Sequence, residues 1–286
     1  MRYYHLRRYL TRRFGLRVAK IALDAGLTCP NRDGALSRSG CLFCDALGSG
    51  SGGAAEGLSV REQLEAALSR SRRRADRFIA YFQAFTNTYA PVDRLESLWT
   101  QALAHEDVVG LAVGTRPDCL PDEVIDLLAS LARDREVWLE LGLQSASERT
   151  LERINRGHTV SDFARAVRRT RGRGFKVLAH VIIGLPGEGP EDTLETARFV
   201  NDLGLDGIKI HSLYVSQDTG LAFMYERGDY DCLSREAFVE QTVDFLERID
   251  PRMVVHRLTG DPRPESLLAP AWTLDKSGTL EMIRQR

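Results

Sequence analysis

The sequence predicts an α/β protein built on a parallel sheet that curls into a partial or complete TIM-like barrel. Three observations carry that expectation. Short apolar runs alternate with amphipathic helical stretches along most of the 286 residues, the pattern of parallel strands joined by right-handed helical crossovers. Polar or glycine-containing segments follow nearly every strand-like run, as when one barrel rim assembles a site from many strand ends. The segment after the first run, Asp24-Ala25-Gly26-Leu27-Thr28-Cys29, lacks the glycine fingerprint of a dinucleotide-binding doubly wound sheet.

Taken in order, residues 1–15 read as a basic arm in which Tyr3, Tyr4, Tyr9 and Phe14 are interspersed among arginines. Such aromatics either stack on bases or pin the arm to the body. The apolar run 16–23 is the first strand, followed by a cysteine-bearing loop. The glycine- and serine-rich segment 48–53 is a flexible turn, and Leu64, Ala67 and Leu68 give helical spacing to 58–74. Strand and helix then alternate: strand 78–85 and helix 92–104, strand 108–113 and helix 121–132, strand 137–143 with helices 147–154 and 160–171, strand 175–183 and helix 190–203. Residues 207–215 supply a sixth strand. A helix over 234–248 precedes a candidate seventh strand at 253–258. The core is expected over 16–260, and the proline-containing tail 261–286 reads as extended chain and a short terminal helix covering an edge or the barrel mouth.

With 43% hydrophobic residues the chain has material for a sizeable core without disulfide support. Five cysteines, three of them in one loop, argue against a secreted disulfide framework and for a reducing compartment. No apolar leader with a cleavage-like site and no membrane-length apolar run is evident, so a cytoplasmic location with no membrane partner is expected; oligomeric state is not legible. The net charge of -1 hides an uneven distribution: residues 1–20 carry Arg2, Arg7, Arg8, Arg12, Arg13, Arg17 and Lys20 and no acidic side chain. That permits an anionic partner such as RNA, docked through Arg8, Arg12 and Arg13, and equally a solvated helix. Two further clusters, Arg70 to Arg77 and Arg168 to Arg173, end predicted helices, where the helix dipole explains them unless they share a face with the first.

The loop 29–44 places Cys29, Cys41 and Cys44 within sixteen residues. Two residues separate Cys41 from Cys44, while Gly34, Ser37, Ser39 and Gly40 let Cys29 return to the same centre. Spacing alone leaves open an iron–sulfur cluster with one free iron, a zinc ion completed by a distant ligand, and no metal at all. If a barrel forms, the same rim gathers Gln83, Thr86, Asn87, Arg116, Asp118, Glu140, Gln144, Ser145, His180, Lys209, His211 and His256. Glu140 interrupts an apolar strand, which requires a polar ligand or an ion pair with Lys209 or Arg116. His180 and His211 fit either catalytic groups or satisfied core histidines. Arg156 is placed to hold a carboxylate or to cap a surface turn, and the turn 184–188 offers backbone groups suited to a nucleoside.

Several stretches together resemble one family: the run 20–34, Gly40-Cys41-Leu42-Phe43-Cys44, the run 81–91, Gly114-Thr115-Arg116-Pro117-Asp118, Glu140-Leu141-Gly142-Leu143-Gln144-Ser145, Arg156-Gly157-His158-Thr159, and the run 180–188. In that order they are similar to the radical S-adenosylmethionine (SAM) superfamily, its Elp3-like group, and the small bacterial proteins of YhcC/YtqA type.

The resemblance implies a six-stranded (β/α)6 core with a C-terminal extension. It implies that Cys29, Cys41 and Cys44 hold a [4Fe-4S] cluster whose fourth iron takes S-adenosylmethionine. An external electron donor reduces the cluster, and the cosubstrate is cleaved to methionine and a 5'-deoxyadenosyl radical that abstracts a substrate hydrogen. Glu140 would bind the methionine amino group and Arg156 its carboxylate or a nearby polar group. Gln83, Thr86 and Gln144 would line the cosubstrate site, Phe43 would pack beside adenine, and Gly184 and Pro186 would pass near adenine or ribose. The substrate implied is tRNA, at the side chain of a wobble uridine. Radical chemistry on a small metabolite or tetrapyrrole, and a non-enzymatic zinc-stabilised RNA-binding protein, are the competing readings.

Overall fold

The computed structural model describes residues 3–48, 50 and 52–286. Arg2 of the basic cluster and Ser49 and Ser51 of the expected turn lie outside the described residues. The chain runs β1 (Tyr4–His5), α1 (Leu6–Phe14), β2 (Val18–Leu23), α2 (Val60–Ser71), β3 (Arg77–Phe82), α3 (Val92–Leu103), β4 (Val108–Thr115), α4 (Asp122–Leu131), β5 (Glu136–Gln144), α5 (Glu148–Arg153), α6 (Val160–Thr170), β6 (Lys176–Ile183) and α7 (Pro190–Asp202). It continues through β7 (Gly207–Ser212), β8 (Val215–Ser216), α8 (Gly220–Glu226), α9 (Arg235–Leu246), β9 (Val254–Arg257), β10 (Leu267–Ala269), a 3-10 turn (Ala271–Leu274) and α10 (Lys276–Gln285).

Eight strands form one sheet in the order β1-β9-β7-β6-β5-β4-β3-β2, and every neighbouring pair is parallel. β1 and β2 are the two edges, so the sheet is a partial barrel with a seam. The expectation of six strands is corrected to eight: 253–258 is β9, inside the sheet, and the two-residue β1 is too short to show as an apolar run. The expected sixth strand over 207–215 ends at Ser212, and Val215–Ser216 pairs antiparallel with β10 instead.

Strand periodicity sorts the core into two faces. Phe78, Ala80 and Phe82, with Leu139 and Leu141, point outward onto α2, α3, α4, α6, α7 and α9. Ile79, Tyr81, Ala112, Trp138 and Leu178 point into the barrel. The residues expected to form a basic arm are part of that interior. Leu10 of α1 is 2% exposed and packs among Ile79, Trp138 and Val254. Tyr9 sets its ring edge-on to Trp138 at 5.5 Å and donates its hydroxyl to Glu136. α1 therefore fills the seam and floor, and its aromatic side chains serve as anchors.

The tail divides. β10 lies beside β8, while α10 lies on α9 in the outer layer, where Arg235 Nε donates to Thr279 Oγ1 at 3.0 Å. Among the described residues no helix is long and apolar enough to cross a membrane.

Candidate functional site

β2 delivers the chain to the rim, and the next turns are held by specific bonds. Gln63 of α2 accepts from Asp24 N (2.8 Å) and donates to Asp24 O (2.9 Å). Arg32 N and Asp33 N donate to Cys29 O. The far side of the loop is laced to the segment after α5: Asn155 Nδ2 donates to Gly40 O at 2.7 Å, and Leu42 N donates to Ile154 O at 3.0 Å. Leu221 N donates back to Leu42 O at 2.8 Å. Asn155 has φ of 52°, a left-handed conformation that asparagine tolerates.

This clamp brings Cys29, Cys41 and Cys44 to one cavity at the barrel mouth. Cys29 and Cys41 are buried and Cys44 half-buried. Each of two sulfurs faces N–H donors: Asn31 Nδ2 and Arg156 Nη1 donate to Cys41 Sγ, both at 3.5 Å, and Arg32 Nη1 donates to Cys44 Sγ at 3.5 Å. Burial, then the neighbouring Cys41, push the Cys44 thiol up to about 12, with Arg32 opposing.

The cavity collects most of the expected site residues: Phe43, Gln83, Thr86, Glu140, Gln144 and Arg156 line it with the cysteines, as do Arg116, His180, Lys209 and His211. Phe85 and Gln144, at the ends of β3 and β5, have φ of 57° and 75°, backbone strain of the kind that gathers at functional sites. A Cβ at Gly142 would lie 2.5 Å from Arg156 Nη2 and 2.7 Å from Gln144 Nε2, so a larger residue there would have to displace the ends of those two side chains.

Three assignments change. Gly184 and Pro186 do not line the cavity. Tyr230, clustered with Leu185 and with the cavity-lining Leu213, donates its hydroxyl to Gly184 O at 2.8 Å. Arg156 uses its guanidinium on Cys41, Gly142 O (3.0 Å) and His158 (2.9 Å), so it is held toward the sulfur and the β5 backbone. Glu140 is 1% exposed and is paired by the chain itself.

The Glu140 network forms the cavity floor. Lys20 reaches one carboxylate oxygen; Lys209 Nζ at 3.0 Å and His180 Nε2 at 2.6 Å reach the other. Lys209 was an expected partner; Arg116 pairs instead with Asp118 at 2.8 Å. Because a carboxylate only accepts, the His180 proton sits on Nε2. Burial pushes Glu140 up, but Lys20, Lys209 and His180 together outweigh it and hold the carboxyl well below its usual range. Burial dominates the bases: Lys209 falls to about 7 and His180 to about 4.

Sequence reasoning missed Asn31, Arg32, Lys20 and Tyr81 as site groups. Lys20 carried a signal, since it shares the inward face of a strand with Val18 and Ala22, but its partner lies 120 residues away. Tyr81 accepts from Lys209 Nζ at 2.7 Å.

A half-barrel of parallel strands with three thiols at its mouth defines a class, and the comparisons agree with it. Residues 29–200 match the Radical SAM superfamily and residues 205–286 the Radical_SAM C-terminal domain, so the chain belongs to the radical SAM superfamily, enzymes that use a [4Fe-4S] cluster and S-adenosylmethionine and need an electron donor. Among individual proteins, it is 42% identical to the uncharacterized protein YtqA of Bacillus subtilis over 286 residues, covering 99% of this chain and 89% of that one. It is also 42% identical to protein YhcC of Escherichia coli over 277 residues, covering 96% and 89%. Elongator complex protein 3 of Saccharomyces cerevisiae is 32% identical over 160 residues, 54% of this chain and 28% of that protein. The solved Elp3 of Methanocaldococcus infernus superposes with a TM-score of 0.72 at 18% identity, covering 94% of this chain and 64% of that one, which shows a shared fold.

The residues present fit the cluster and its cosubstrate. Three thiols with N–H donors suit a thiolate-bound cluster, and no fourth cysteine lines the cavity. Thr86 Oγ1 and His211 Nε2, both in cavity-lining residues, are buried without a hydrogen-bond partner, as expected of atoms that meet a polar ligand.

Proposed function

We propose that this chain is a radical SAM enzyme of the cytoplasm that modifies tRNA, acting at the side chain of a wobble uridine. Cys29, Cys41 and Cys44 would hold the cluster, with Gln83, Thr86 and Gln144 toward the cosubstrate and Phe43 beside its adenine. When bound, the cluster and S-adenosylmethionine supply a 5'-deoxyadenosyl radical for hydrogen abstraction.

The observation that carries the reading is the convergence of the three thiols with strand-end side chains on one cavity that continues down the barrel. The chain's own residues then have defined tasks. Asn31, Arg32 and Arg156 donate hydrogen bonds to thiolate sulfur. Phe43 and Phe85 wall the cavity with apolar surface that keeps water from a reactive centre. Lys20, Lys209 and Glu140 keep a rigid charged floor beneath it. A tRNA substrate is supported by the basic residues concentrated in 1–20 and by the kinship with Elongator complex protein 3.

The test compares modified nucleosides in bulk tRNA from wild-type and deletion cells, alongside reductant-dependent 5'-deoxyadenosine release by the reconstituted protein. Loss of one wobble-uridine modification is expected. An unchanged nucleoside profile with intact deoxyadenosine release would move the substrate to a small metabolite.

A further inference from the structure

A second cavity of 590 Å³ opens along the seam of the half-barrel, between β2 and β9, beside α1. Its cationic lining comes from separate parts of the chain: Arg7 on α1, Arg17 before β2, Lys20 within it, Arg74 beyond α2, and Arg257 on β9. Among the described residues no aspartate or glutamate lines it. The seam and mouth cavities share Tyr81, Gln83 and Lys209 as lining, so the two cavities adjoin at these residues.

Arg74 belongs to the second arginine cluster of the sequence, and the fold places it in one groove with Arg7 and Arg17 of the first. Arg12 and Arg13 of α1 line a separate cavity with Arg252. Arg12 and Arg13 thus do not share the seam groove with Arg7, Arg17 and Arg74. Arg17 is already bonded to Asp76 at 2.9 Å, and Arg257 is 3.8 Å from Asp261. Among the described residues no ion pair engages Arg7 or Arg74, and both are exposed.

We propose that the seam groove is a phosphate-binding track for a single-stranded segment of tRNA, along which one nucleotide is turned inward toward Gln83, Tyr81 and Lys209. Cations spread along a groove from several elements suit a chain of phosphates better than one small anion. A base that reacts inside a barrel must leave its stack to get there. The inference rests on the tRNA reading above.

The experiment measures binding of an unmodified tRNA transcript to the reconstituted full-length protein by fluorescence anisotropy across a salt series. Arg7→Ala with Arg74→Ala should weaken binding and lower the slope of log K against log salt by about 2, one for each phosphate that is no longer neutralised. Arg12→Ala with Arg252→Ala, in the other cavity, should leave the slope as in wild type. Uncoupled deoxyadenosine release by the groove variant should match wild type, which shows that it folds and carries its cofactors. Wild-type binding with an unchanged slope in the groove variant, or equal losses in both pairs, overturns the groove and leaves the tRNA reading standing. Failure of the wild-type protein to bind tRNA overturns both.

Discussion

Lys209 Nζ lies 3.0 Å from Glu140 Oε2, with both side chains closed off from solvent beneath the cysteine cavity. Lys20 takes the other oxygen of the same carboxylate, so two ammonium groups depend on one buried negative charge. Removing that charge leaves them uncompensated, a far larger loss than the net worth of the pair. Glu140→Gln is therefore expected to destabilise the fold by about 3–5 kcal/mol, read from urea denaturation. A loss below about 1 kcal/mol, the range of surface pairs, would mean that water reaches the floor.

Leu10 discriminates a barrel plug from a surface arm. An exposed arm tolerates substitution within about 0.5 kcal/mol. A side chain buried against Ile79, Trp138 and Val254 should cost about 2–5 kcal/mol when truncated. Leu10→Ala is expected in the second range by chemical denaturation, and a value in the first would detach α1 from the core.

The outer half of this fold was legible because it is written in local periodicity. β3 to β7 and the helices between them fall close to the expected ranges, since each strand buries one face against its crossover helix. The seam was not legible. β1 has two residues and exists only because β9, some 250 positions later, offers it an edge. The site shows the same division. Cys41 and Cys44 advertise themselves by spacing, whereas Arg32 looks like any loop arginine until the turn at Cys29 folds it toward Cys44. Sequence shows that a turn follows β6, without showing that Tyr230 bonds to it or that Gly184 and Pro186 stay outside the cavity lining.

Arg156 was expected to face a carboxylate and instead donates to Cys41 Sγ. Hydrogen bonds to ligand sulfur favour the more negative, reduced state of an iron–sulfur cluster. Arg156→Met, which keeps length and removes the donors, should shift the potential of the reconstituted cluster to more negative values in a titration followed by electron paramagnetic resonance. An unchanged potential in a fully loaded variant would assign Arg156 to holding Gly142 O and His158 alone.

Glu188 supplies a pH dependence of defined sign. Its carboxyl accepts from the Ser145 hydroxyl. Burial pushes it up to about 7, with Ser145 and Thr150 pulling the other way and Asp192 adding to the rise. An unfolded glutamate titrates near 4.3, so between roughly pH 4.3 and 7 the native chain binds the proton that the unfolded chain has released. The stabilisation is complete below that window and is lost as pH rises through it. Glu188→Gln removes the titrating group, so the variant's urea midpoint should fall less than the wild type's between pH 5 and pH 8. Parallel midpoints for the two proteins would place the Glu188 carboxyl back in the ordinary carboxylate range, with its charge solvated rather than buried beside Ser145.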